Sequence, residues 1–173
     1  MNAFIKAIEA KKKLWLQDKI LIRFGHATHT TPEQAVRMRE LGIYADINLG
    51  SNLRTGAIAY LEEQIVGTSD EDSDSKEQAR HKYMEGIKKQ NKQWNLNPSE
   101  LIQKDHGLAN LLLAEVKVVL GTDGQGVEVT SIKDEYELLE NYLYLHPKLS
   151  SNPTKYFDQI VNNSLELRNL MLA

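Results

Sequence analysis

The 173-residue chain has no cysteine, which removes a disulfide framework, a thiolate nucleophile and every cysteine-based zinc site. It has no apolar run near the roughly 20 residues of a membrane span. The N-terminal Met1-Asn-Ala-Phe-Ile-Lys6 forms no continuous apolar segment before the Lys11-Lys-Lys13 cluster, so no secretory signal is expected. Without one, the sequon Asn162-Asn-Ser164 reads as chance. A charge excess is missing too: 21 basic and 24 acidic residues give a formal net charge of -3. Nothing there favours nucleic acid or an anionic membrane as partner. These absences make a cytoplasmic location the expectation.

What is present is a composition of 41% hydrophobic and 26% charged residues, enough for one soluble globular unit with a sizeable core. Of only four prolines, Pro32, Pro98 and Pro153 each follow a capping residue, Thr31, Asn97 or Asn152. That pairing is a helix start. Gln34 adds a capping box at the first of them, and Gly42 marks where that helix ends. Residues 2–17 have a one-faced apolar pattern, and helices are expected through Ala114 and over residues 132–145 and 153–172.

Three short apolar runs, residues 20–24, 43–47 and 116–120, read as strands between these helices. Alternation of this kind predicts βαβ units and parallel strands, adjacent in chain order because right-handed crossovers join consecutive strands. Residues 48–56, polar and rich in glycine, are expected to form a loop. Residues 62–97 break the rhythm, acidic at first and then basic, and read as a charged helical insertion at the surface.

Two of the strands run into residues that can do chemistry. The first leads to Gly25-His26-Ala-Thr-His29, and the third to Gly121-Thr-Asp-Gly-Gln-Gly126. Carboxyl ends of strands present catalytic groups and metal ligands in α/β barrels. Taken alone, His26 reads first as a loop-capping histidine and Asp123 equally as an Asx turn. His106 beside Asp105 reads as a helix-end residue, while His81 and His146 read as surface. The glycine spacing after the third strand is not that of a dinucleotide site.

Taken together, Arg23-Phe-Gly-His-Ala-Thr-His29, Ser51-Asn-Leu-Arg-Thr-Gly56 and Val118-Val-Leu-Gly-Thr-Asp123 resemble the C-terminal half of the adenosine deaminase family, with the motifs in that family's order. The family is a zinc-dependent (β/α)8 barrel. The resemblance implies an α/β fold that is part of a TIM barrel, strands six to eight, spread over residues 1–173 around the 62–97 insertion. It implies that His26 stands beside a metal-bound water and that Asp123 ligates zinc, for deamination of a purine nucleoside or related substrate.

Two departures qualify it. Gly124 stands where the family has a second aspartate that holds the purine. The five histidines, His26, His29, His81, His106 and His146, include no His-x-His pair. The expectation is therefore an incomplete site, with an N-terminal barrel portion supplied by a longer chain or a separate subunit. Bare edges on the outer strands would favour self-association. The alternatives are a non-catalytic remnant or regulatory module that keeps barrel architecture, and a small nucleotide-binding α/β domain.

Overall fold

A computed structural model describes residues 1–12, 14, 20–55, 98–103, 105–123 and 131–172. The 62–97 insertion and Gly124 lie outside these residues. In chain order the elements are α1 (Asn2–Ala10), β1 (Arg23–Gly25), α2 (Pro32–Glu40), β2 (Tyr44–Ile47), α3 (Leu49–Arg54), α4 (Pro98–Gln103), α5 (Leu108–Leu113), β3 (Lys117–Leu120), α6 (Ile132–Leu145) and α7 (Pro153–Leu172). No helix among the described residues is long and apolar enough to cross a membrane.

The strands form one parallel sheet in the order β1-β2-β3, the order that chain-consecutive crossovers dictate. Strand alternation gives the sheet two different faces. Phe24, Ala45, Ile47 and Val118 point to one side and join a single apolar core with Ala35 and Met38 of α2, Leu108, Leu111 and Leu112 of α5, and Leu138 and Leu139 of α6. Both crossovers thus pack on the same face.

The opposite face is more polar. Arg23 and Asp46 pair across β1 and β2 at 2.6 Å, and Lys117 on β3 reaches Tyr44 and Glu166. Its apolar part is a small cluster of Tyr44, Val119 and Leu167. Leu167 belongs to α7, which lies along the outer side of β3. From there the Gln159 amide donates to the Val116 carbonyl at 3.4 Å and the Asn163 amide to the Val118 carbonyl at 3.0 Å. The expected bare edge therefore exists at β1, where no strand pairs outward among the described residues. It does not exist at β3, because side-chain amides satisfy edge carbonyls that a further strand would otherwise bind.

Several local expectations need correction. The polar segment after β2 is not a loop: residues 49–54 are helical. The helix expected through Ala114 is two helices, Pro98–Gln103 and Leu108–Leu113, with residues 105–107 non-helical and Asp105 at a φ of 52°. The strand expected over 20–24 is displaced to Arg23–Gly25. Of the helix expected over residues 2–17, Asn2–Ala10 is formed, and residues 13 and 15–17 lie outside the described residues. By contrast, the Thr31–Gln34 capping box is formed, and Asn152 accepts the Lys155 N–H at the start of α7.

Candidate functional site

The carboxyl ends of the three strands carry the site. At the end of β1, Gly25 is followed by His26 and Ala27 with φ of 64° and 43°; beyond β3, Asp123 has a φ of 56°. Left-handed backbone at residues with side chains is uncommon and marks a turn held by its surroundings. Here it turns His26 and Asp123 toward each other across the sheet end. His26 Nε2 lies 3.7 Å from Asp123 Oδ2, with both side chains a little under half exposed. The structure thus brings together the two residues the sequence singled out.

Between them stands α3, and two of its residues complete the arrangement. Ser51 Oγ donates to Asp123 Oδ2 at 2.9 Å, and the Asn52 amide meets His26 Nδ1 at 2.9 Å. Both side chains are buried. They stand there because α3 is capped from a distance. Asn48 at its N-terminus makes no side-chain cap; Glu135 of α6 instead accepts the Gly50 N–H at 3.0 and 3.1 Å. A carboxylate suits the orphan N–H groups and positive dipole of a helix start. Burial nevertheless holds the Glu135 carboxyl above its ordinary pKa, opposed by those backbone N–H donors.

Asn48 is released for another role. In the amide orientation that satisfies its neighbours, it donates to the Gly121 carbonyl at 2.9 Å and to the Ile47 carbonyl at 3.3 Å, which ties the exits of β2 and β3 together. Gly121 makes room for it, since a Cβ there would stand 2.5 Å from the Asn48 side chain.

Behind Asn52 lies His106, which is 1% exposed and not the plain helix-end residue expected. Its Nε2 meets the Asn52 amide at 3.0 Å, and its Nδ1 accepts the Leu108 N–H at 3.1 Å. Burial pushes its pKa down to about 3, with a smaller contribution from His29 nearby. The turn that carries it is pinned to the His26 loop: Gly107 N–H donates to the Thr28 carbonyl at 2.7 Å, and a Cβ on Gly107 would stand 2.6 Å from Thr30 N. His146, expected at the surface, is also buried, stacked at a tilt on Tyr142. His29 is exposed near the mouth, and His81 lies outside the described residues.

Sequence reasoning passed over Ser51 and Asn52 as site residues and read His106 as structural. The signal available was indirect: Ser51-Asn52 belongs to one of the three motifs that resemble the deaminase family.

The described residues do not by themselves fit a zinc ion. Asp123 and His26 are two groups, no cluster of three or more His, Cys, Asp or Glu exists among the described residues, and a catalytic zinc takes three protein ligands. Chemically, the site offers a carboxylate held by a hydroxyl and an imidazole held by an amide, side by side and both partly exposed. No protein-family model, curated protein or solved structure matches the chain.

Proposed function

We propose that the chain is part of an adenosine deaminase-like hydrolase and contributes one side of its active site. The observation that carries this reading is the convergence of His26 and Asp123. They come from motifs on different strands, yet meet at 3.7 Å at the carboxyl end of a parallel sheet. That is the end where barrel enzymes place their chemistry. Asp123 is offered as a zinc ligand, oriented by Ser51, and His26 as the polar group next to the reacting atoms. The substrate class is a purine nucleoside or related compound, in a cytoplasmic setting.

The remaining ligands come from an N-terminal barrel portion, in the same longer polypeptide or a separate subunit. It meets two different edges. β1 has an open edge, ready to pair. At β3, the Gln159 and Asn163 amides stand where a strand would bond, so closing the barrel there requires α7 to move off that edge. A second reading draws on the same detail: a helix that caps the closing edge suits a non-catalytic module whose sheet stays open, able to self-associate through β1.

Ammonia release separates the two. The chain alone is expected to give none from adenosine. Mixed with a polypeptide carrying the first five strands and zinc, it is expected to deaminate adenosine or a related nucleoside. A folded pair that binds but turns over no purine nucleoside would favour the non-catalytic module. Turnover by the chain alone would overturn the divided site.

A further inference from the structure

Three side chains run inward from the strand exits in series: His26, Asn52 and His106. Nδ1 of His26 meets Asn52 Oδ1 at 2.9 Å, and Asn52 Nδ2 meets Nε2 of His106 at 3.0 Å. At the inner end, Nδ1 of His106 accepts the Leu108 N–H at 3.1 Å. That last bond is the fixed point. A side-chain amide can turn over and a ring proton can change nitrogen, but a peptide N–H only donates.

His106 is buried and neutral, its pKa pushed down to about 3. A neutral imidazole carries one ring proton. With Nδ1 accepting from Leu108, the proton sits on Nε2, and that nitrogen must donate. The atom it faces is therefore the Asn52 oxygen. The orientation as placed aims the Asn52 NH2 at Nε2 and would leave both ring nitrogens as acceptors, which no neutral imidazole provides, so the amide must be turned over.

Asn52 then turns its NH2 toward His26. Nδ1 of His26 becomes an acceptor, and its ring proton belongs on Nε2, the nitrogen that faces Asp123. Asn48 lies 3.5 Å from the same Nδ1. With its NH2 given to the Gly121 and Ile47 carbonyls, Asn48 turns its amide oxygen toward this nitrogen, and 3.5 Å is too long for that oxygen to compete with a bond of 2.9 Å.

We propose that His106 is a positioning residue that, through Asn52, fixes the neutral His26 ring with its proton on Nε2, so that His26 presents a donor, not a base, to whatever occupies the space between the strand exits. The proton placement stands on the geometry alone; its catalytic meaning rests on the deaminase reading. There it assigns His26 to holding an oxygen or nitrogen of the reacting groups by donation. The group that removes a proton from the attacking water must then come from elsewhere, because the acceptor nitrogen of His26 points inward at Asn52.

Long-range proton–nitrogen correlation spectra of the full chain, labelled with ¹⁵N-histidine, read the tautomers directly. The measurement belongs at a pH well above the ordinary histidine range. His106 and His26 are each expected to carry the proton on Nε2 and a bare Nδ1. A proton on Nδ1 of either ring overturns the proposal.

Asn52→Asp supplies a second test, because a carboxylate only accepts. His106 should keep its Nε2 proton, while the His26 proton moves to Nδ1. A folded Asn52→Asp chain whose His26 tautomer does not change also overturns the proposal. Failure of the mixture with the first five strands to hold zinc or release ammonia, by contrast, defeats the deaminase reading and leaves these spectra unaffected.

Discussion

As pH falls below about 6.5, the protein is expected to lose stability steadily, and His106 is the main cause. In the folded chain its imidazole is sealed behind Asn52 and Leu108, and burial lowers its pKa from 6.5 to about 3. The unfolded chain takes up that proton near pH 6.5; the folded chain resists it. Stability is therefore fully present above the unfolded value and drains away as pH falls toward 3. At roughly 1.4 kcal/mol per pH unit, the window from 6.5 to 3 amounts to about 4–5 kcal/mol, a large share of the 5–15 kcal/mol typical of a domain.

His146, whose pKa burial also lowers, acts in the same direction. Glu135 opposes both, because its raised pKa lets the folded state bind a proton early. Denaturant midpoints measured across this range should fall steeply in the wild type. His106→Gln should be less stable at neutral pH yet lose much of the slope. A wild-type stability that is flat between neutrality and pH 4.5 would contradict the burial and neutrality of His106.

In the assembled enzyme, Asp123→Ala and His26→Ala are expected to fail in different ways. Asp123 is the offered metal ligand, and Ser51 only orients it. Its removal should abolish metal retention and, with it, all activity. On the proposed reading, His26 would touch the reacting groups without holding the metal. His26→Ala should keep the metal and lower the rate by about 10²- to 10⁴-fold, the usual cost of losing a positioned proton-transfer or hydrogen-bonding group. Metal content and kcat measured on the same preparations tell the two apart. Full activity in Asp123→Ala would remove the metal assignment.

The sheet and its chemistry-bearing ends were legible in the sequence because both depend on local signals. Apolar runs flanked by Thr31-Pro32 and Gly42 define βαβ units, and crossover handedness then fixes the order β1-β2-β3. The same order places His26 and Asp123 at one sheet end. What escaped was everything decided by distant partners. Leu49-Gly-Ser-Asn-Leu-Arg54 has loop composition, and it is helical because Glu135, 85 residues away, caps it. His106 looks like any polar residue near a helix start, and its burial depends on Asn52, 54 residues earlier. The covered edge of β3 comes from two amides one turn apart on the face of α7 toward that strand, and polar residues on a helix carry no mark of what they will bond.

Zinc retention most directly tests the claim that this chain carries one side of a divided metal site. Dialysis against trace zinc, followed by metal analysis, should leave the wild-type chain essentially free of zinc, because Asp123 and His26 are fewer than the three protein ligands a catalytic site needs. The same chain mixed with a polypeptide carrying the first five strands should retain zinc in equimolar amount, and the mixture made with Asp123→Ala should not. Stoichiometric zinc on the chain alone, or equal retention with and without Asp123, would contradict the account.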